Sequence, residues 1–282
     1  MNGYVELSYL QVGLASLLIM VNGAISIGLR LQMERSLFLA SLRTVAQLFL
    51  IGLVLEWVFR LDHWYIVLGI GGLMTLIAGL TAASRNERRY PGIWLNTVIS
   101  VWASAWIVTA FALFAVVRGS ATWYEPQYSI PLLGMVLGNT LNGISVGLNT
   151  FTEALVTRRE QVESLLALGA TRWEAARVPV QHAVRTGMTP IINSMMVVGI
   201  VSLPGMMTGQ LISGTPPMEA VKYQIVIMFL IASATALGTV GVVLLSFLQL
   251  FDVNHRFLLS RIALKKPRRP DELTIQGSVR RK

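Results

Sequence analysis

The sequence RREQVESLLALGATRWEAARVPVQHAVR, residues 158–185, is the longest polar stretch between hydrophobic segments, and the rest of the chain is interpreted around it. The residues from Glu163 to Leu168 favour a helix, and Gly169 is the residue type that adopts a left-handed conformation at a helix C-terminus. Thr171 and Glu174 have the spacing of a capping box, which begins a second helix. The stretch therefore predicts two helices that meet at a sharp joint.

The composition of the whole chain is that of a membrane protein. Hydrophobic residues make up 54% and charged residues 13% of its 282 residues, whereas a soluble domain carries about 25% charged residues. There is no cysteine, so disulfides and thiolate metal sites are excluded. Catalytic signatures and the Gly-x4-Gly-Lys-Ser/Thr phosphate loop are absent from the sequence. We therefore expect no enzyme activity and no cofactor bound by this chain.

Seven apolar runs are long enough to cross a hydrocarbon core of about 30 Å. In chain order they are residues 9–29, 44–59, 64–83, 93–117, 130–155, 188–212 and 221–250. The second run is short, and a helix at 31–42 on the membrane surface is expected to lead into it. The predicted fold is an all-α integral membrane protein, with one transmembrane domain over 1–250 that includes the hairpin at 156–187.

The positions of Lys and Arg predict the orientation of these spans. Segments on one side hold 20 basic residues, and those on the other side hold only Arg60, Arg118 and Lys222. This asymmetry places the N-terminus outside and the C-terminus and the hairpin in the cytoplasm. The basic tail at 251–282 is predicted to be disordered and attracted to anionic lipid headgroups, with no nucleic acid as a partner.

The fifth span carries polar side chains on one helical face. They are Asn139, Asn142, Ser145, Asn149 and Glu153. Asparagine cannot face lipid at low cost, so the face is expected to contact protein or water. It is interpreted either as interhelical hydrogen bonding or as the wall of a translocation path, and the two are compatible.

The sixth span is predicted to break at Pro204, since proline removes an intrahelical hydrogen bond and a broken helix within the membrane must be buried or line a cavity. Methionines flank the break, and thioethers are soft metal ligands, although a methionine cluster is also common core filler. The candidate metal ligands are Met195, Met196, Met206, Met207 and Gln210. Asn193 is a further candidate for the path. Glu56 of the second span either marks an exit route for a cation or extends to the interface.

The hairpin resembles the cytoplasmic coupling loop of ABC transporter permeases, on Glu163, Ala167, Gly169, Ala170 and the pair Val178–Pro179. Three motifs, ESLLALGA at 163–170, VSLPGMMTG at 201–209 and AVKYQIVIM at 220–228, make the chain similar to the FetB-like permease family. Members of that family are described as iron-export permeases, and plant relatives are linked to aluminium tolerance.

The resemblance implies a homodimer in the cell membrane that works with a separate ABC ATPase, and the ATPase binds ATP–Mg. It also implies that the assembly exports a metal cation, with iron as the first candidate. The residues expected to couple to the ATPase are Glu163, Leu165, Leu166, Gly169, Arg172 and Trp173. Trp173 is alternatively an interfacial belt residue. Two other functions remain open, a nucleotide-sugar permease and a secondary carrier or scaffold without an ATPase. No internal repeat of the kind carriers use is evident.

Overall fold

The structure, a computed structural model, describes residues 8–61, 63–116 and 125–264. Its helices are α1 (Tyr9–Gly28), α2 (Glu34–Leu61), α3 (Trp64–Arg85), α4 (Ile93–Phe111), α5 (Pro126–Thr157), α6 (Arg159–Ala167), α7 (Arg172–Val197), α8 (Gly205–Ile212) and α9 (Pro217–Leu250). A π-helical turn at Ala112–Val116 extends α4. Two short strands, β1 (Arg88–Arg89) and β2 (Ala263–Leu264), pair antiparallel. The predicted all-α class is confirmed.

Within the described residues, six helices are long and apolar enough to cross a membrane, namely α1 to α5 and α9. The predicted sixth span at 188–212 is broken near Pro204, as the sequence predicts, but its helix does not begin at residue 188. Instead α7 begins in the hairpin, the chain leaves the helical conformation at residues 198–204, and α8 follows. Gly199 has φ +84°, which interrupts the helix. Pro204 has no N–H to continue a helix and becomes the N-cap of α8.

The second span also differs from its prediction. The surface helix at 31–42 and the short span at 44–59 form one continuous helix, α2. Glu34 in its first turn accepts a hydrogen bond from Ser26 of α1 at 3.1 Å, and a carboxylate there is favoured by the helix dipole. The helix contacts the rest of the bundle through Val58, which packs with Val67 and Ile130.

The core of the bundle is made by α5, α7 and α9, with α3 and α4 beside them. Helices approach closely where glycine replaces a side chain. A Cβ on Gly187 of α7 would lie 2.6 Å from the Thr239 methyl of α9 and 2.8 Å from the Gly143 carbonyl oxygen of α5. Glycine at this crossing therefore sets the distance between the three helices that surround the break.

A buried hydrogen-bonded group joins the loop between α3 and α4 to α9. The Tyr90 hydroxyl lies 2.7 Å from the Ser246 hydroxyl and accepts a hydrogen bond from Asn96 Nδ2 at 3.2 Å. Burial raises the pKa of the Tyr90 hydroxyl, so it stays protonated. This group fixes the loop against the end of the bundle where α9 finishes.

The chain remains folded beyond α9, so the predicted start of a disordered tail at residue 251 is too early. Phe251 pairs with Phe257 in a β-bridge, and their rings stack with centroids 5.2 Å apart. The segment then pairs with the α3–α4 loop through β2. Aromatic burial and this strand pairing explain the order of residues 251–264. The more basic part of the tail, residues 265–282, lies outside the described residues.

Candidate functional site

The hairpin has the geometry that the sequence predicts. Gly169 has φ +91°, and two hydrogen bonds, from the Gly169 N–H to the Leu166 carbonyl and from the Ala170 N–H to the Leu165 carbonyl, end α6 in a Schellman motif. Thr171 and Glu174 form the predicted capping box of α7. Capping hydrogen bonds hold the pKa of the Glu174 carboxyl below its usual range. The joint is therefore fixed on both sides by local hydrogen bonds.

The start of α7 is also bound to the end of α9. The Trp173 ring packs edge-on against Phe247, with centroids 5.5 Å apart, and the Arg172 guanidinium lies 5.7 Å from the centre of the same ring. The Arg172 N–H donates to His255 Nδ1 at 3.1 Å, which satisfies an amide that has no partner inside the helix. The hairpin is thus attached to the bundle by side chains as well as by the main chain.

The predicted coupling residues differ in exposure. Leu165 is 43% exposed and Trp173 45% exposed, so both present apolar surface. Leu166 packs against the core instead, which removes it from the candidate contact surface. Leu168 is 85% exposed and is a further candidate for the contact surface that the sequence analysis does not include. Its position directly before Gly169, the residue predicted to end the helix, could have indicated it. Glu163 accepts a hydrogen bond from Arg159 at 2.8 Å.

The polar face of α5 has two parts. The part nearer the C-terminus of α5 binds the end of α3 through a hydrogen bond from Arg85 to Asn142 at 2.7 Å. It binds the α3–α4 loop through hydrogen bonds from the Glu87 N–H to Asn149 at 3.3 Å and from Arg88 to Glu153 at 2.6 Å. These contacts fit the interpretation as structural hydrogen bonding. Ser145 donates to the Leu141 carbonyl of its own helix.

The part of the face nearer the N-terminus of α5, at Asn139, reaches a cavity at the break between α7 and α8. Asn139 of α5 lines this cavity of about 280 Å³, together with residues of α7, α8, α9 and the break itself. The polar side chains in its wall are Asn139, Ser194, Ser202 and Gln224, and Pro204 and Met206 also border it. The structure therefore brings one residue of the predicted path, Asn139, to the predicted break.

Gln224 is a buried residue of this cavity that sequence reasoning missed. It is 6% exposed, and its Oε1 atom has no hydrogen-bond partner among the described residues. Its signal in the sequence is that it is the one amide side chain in the largely apolar first half of the seventh span. Buried polar atoms are normally paired, so an orphaned oxygen at a cavity wall marks a place where a ligand or water is bound.

The four predicted methionine ligands do not share one cavity. Met206 borders the cavity at the break. Met195 and Met207 line a second, more apolar cavity of about 440 Å³, which shares Gln224 and Met228 with the first. Met196 is 72% exposed. With Met135 and Met228, each cavity is bordered by three methionines.

The remaining predicted residues lie apart from the cavity. Gln210 has a buried Oε1 atom without a partner within the described chain, and it is placed further along α8. Asn193 is exposed on α7. Glu56 pairs with Arg60 one turn later at 2.6 Å, with both side chains exposed on α2. Among the described residues there is no group of three or more His, Cys, Asp or Glu side chains that could hold a metal ion.

Comparison with known families places the chain by its sequence. A model described as "Uncharacterised protein family (UPF0014)" matches residues 9–251, which covers all the helices from α1 to α9. No solved structure matches the chain.

Three relatives illustrate the range of the similarity. The chain is 37% identical to the UPF0014 membrane protein slr1647 of Synechocystis over 81% of this chain and 88% of that protein. It is 27% identical to the Probable iron export permease protein FetB of Escherichia coli, over 90% of this chain and 96% of that protein. It is 31% identical to Protein ALUMINUM SENSITIVE 3 of Arabidopsis thaliana, over 74% of this chain and 75% of that protein.

Proposed function

The chain belongs to the UPF0014 family of multi-pass membrane proteins, and from this premise we propose that it is the membrane-spanning permease subunit of an ABC exporter. The single observation that carries the proposal is the hairpin of α6 and α7. It joins α5 to the broken helix, it has a fixed joint at Gly169, and it presents exposed apolar side chains at the tip of the bundle.

In this proposal a separate ATPase binds ATP–Mg and receives the hairpin. The contact surface consists of Leu165, Leu168 and Trp173, with the Arg159–Glu163 ion pair beside it. Exposed apolar side chains on a polar loop are typical of a docking surface. Because α7 continues from the hairpin directly to the break, movement of the hairpin would change the cavity without any intermediate element.

The proposed orientation places the hairpin in the cytoplasm and the N-terminus outside. The α3–α4 loop contacts the end of α5 through Arg88 and Glu153, and it pairs with the segment after α9 through β1 and β2. The hairpin contacts that same segment through Arg172 and His255, so the three segments lie at one end of the bundle. These are the segments that carry most of the basic residues, and basic segments remain in the cytoplasm. Two copies of the permease with the ATPase in the cell membrane complete the proposed assembly.

The proposed cargo is a metal cation, with iron as the first candidate. It rests on the name of the FetB relative and on the uncharged polar cavity at the break. A nucleotide-sugar would require cations in the path to neutralise its diphosphate, and no Lys or Arg lines that cavity.

The test is ATP-dependent uptake of labelled Fe(II) into inside-out vesicles that contain the permease and its cognate ATPase, with UDP-glucose as the parallel cargo. Leu168→Asp should release the ATPase and abolish uptake. Val253→Asp is the matched control, because Val253 is 74% exposed at the same end of the bundle but lies outside the hairpin. Uptake of UDP-glucose alone would replace the metal with a sugar nucleotide. Fe(II) uptake that needs no ATPase would make the chain a secondary carrier.

A further inference from the structure

We propose that the cavity at the break binds a hard or borderline divalent cation through uncharged oxygen atoms, with Gln224 as the central ligand and with part of the water shell of the cation retained. This inference rests on the proposed function, since it defines the chemistry of the cargo site of that permease. It differs from a thioether site, which would select a soft cation such as Cu(I).

The first step is the buried amide of Gln224. The side chain is held on α9 between the break and α5, and its Oε1 atom is shielded from solvent without any donor among the described residues. A carbonyl oxygen without a partner can accept a hydrogen bond or coordinate a cation. The buried atom without a partner, Oε1, is therefore an acceptor, as a cation site requires.

The second step is that the other polar groups of the wall also supply oxygen. Asn139 donates its Nδ2 group to the Met135 carbonyl at 2.9 Å, which leaves its Oδ1 atom free to accept. Ser194 precedes the break and Ser202 lies within it, and both hydroxyls border the same cavity. The wall thus presents amide and hydroxyl oxygens from three separate parts of the chain.

The third step is the charge of the wall, which carries no ionised side chain. Amide, hydroxyl and water oxygens suit cations of the Mg²⁺, Ca²⁺ and Mn²⁺ type. Without a carboxylate, the site cannot replace the whole hydration energy of a divalent ion, so water must remain in the coordination shell. Weak coordination of this kind suits a transport site, where bound cargo must also leave.

The other two cargo chemistries fit less well. A soft cation would bind through sulfur, and three methionines border the cavity, Met135, Met206 and Met228. The buried atom of this wall that lacks a partner among the described residues is an oxygen, Oε1 of Gln224, and oxygen ligands favour a harder cation. A nucleotide-sugar carries a negatively charged diphosphate, and no cationic side chain in this wall offsets that charge.

The test uses Mn(II) as the probe, because its electron paramagnetic resonance signal reports binding without transport. The purified full-length chain is titrated with Mn(II), and bound water is counted by pulsed proton spectra in H₂O and D₂O. We expect Gln224→Leu to weaken Mn(II) binding by at least about tenfold. Gln47→Leu is the matched control, since Gln47 is exposed on α2, and it should leave binding unchanged.

Two further variants keep the test decisive if Gln224→Leu does not fold. Gln224→Glu retains the oxygen and adds a charge, so it should tighten Mn(II) binding about tenfold. The double variant Met206→Leu with Met207→Leu should bind Mn(II) as the unchanged chain does. Unchanged binding in both Gln224 variants, loss of binding in the methionine variant, or no Mn(II) binding by the unchanged chain would each overturn the inference.

Failure of this inference and failure of the proposed function are separable. Binding of Mn(II) is measured on the permease alone, whereas the exporter assignment depends on the ATPase and on the hairpin. A chain that recruits and couples to the ATPase but does not bind Mn(II) remains an exporter with another cargo. A chain that binds Mn(II) and recruits no ATPase keeps the cation site and loses the exporter assignment.

Discussion

The ring of Trp173 at the start of α7 lies edge-on against the ring of Phe247 near the end of α9, with an angle of 80° between the ring planes. Phe247 and Gln224 belong to the same uninterrupted helix, and at about 1.5 Å per residue they are roughly 35 Å apart. The hairpin is therefore connected to two helices that line the cavity, to α7 by the main chain and to α9 by this aromatic pair.

Replacing Gly169 should uncouple ATP hydrolysis from transport. Gly169→Val places a β-branched residue at φ +91°, a conformation that costs of the order of 1–3 kcal/mol for such a residue. We expect ATP hydrolysis by the assembled complex to continue while transport falls at least about tenfold. Gly52→Ala in α2, where an added Cβ meets no atom within 4 Å, is the control. Normal coupled export by the Gly169 variant would show that the joint is not required.

The ion pair between Arg88 and Glu153 should stabilise the end of the bundle. Its nitrogen and oxygen are 2.6 Å apart, and the Arg88 side chain is only 17% exposed. A double-mutant cycle with Arg88→Met and Glu153→Gln should give a coupling free energy of about 1 kcal/mol, measured by unfolding in detergent. The Glu56–Arg60 pair, with side chains 63% and 76% exposed, should give a value near zero. Equal coupling in both pairs would contradict the role assigned to burial.

The capping box of α7 should respond to acid. Because the pKa of Glu174 is lowered in the folded chain, its contribution to stability is present above the ordinary carboxyl pKa of about 4. That contribution is lost as the pH falls through the lower folded value. Hydrogen exchange of the Thr171 amide, corrected for its intrinsic rate, should therefore accelerate on acidification. The variant Glu174→Gln should remove this pH dependence, and an identical pH response in that variant would exclude Glu174 as its source.

The crossing of α5, α7 and α9 should not accept an added methyl group. Gly187→Ala would place a Cβ 2.8 Å from the Gly143 carbonyl oxygen, and overpacking of this kind costs about 1–3 kcal/mol. We expect a lower unfolding temperature and weaker Mn(II) binding, because the cavity lies between the same helices. Gly138→Ala on α5 has open space around the added Cβ and should unfold at the unchanged temperature. A Gly187 variant as stable as the control would show that the helices separate freely.

Local features of the fold were predictable from the sequence because they depend on neighbouring residues. The left-handed Gly169, the capping box of Thr171 and Glu174, and most of the long apolar helices follow from chain-local chemistry and hydropathy. Local patterns misjudged the sixth span, where α7 starts in the polar hairpin and ends before Pro204. Hydropathy alone cannot detect a helix that crosses from a polar to an apolar environment.

The sequence by itself thus determined the membrane class, the hairpin and the presence of a break near Pro204. Only the tertiary structure decided which polar side chains meet at that break. Asn139 and Gln224 are far apart in the chain and reach the same cavity. Asn142 and Asn149 lie on the same face of α5 as Asn139, but they bind the end of α3 and the α3–α4 loop. The reason is physical: helical periodicity fixes the face on which a residue lies, but the packing of other helices fixes what that face contacts.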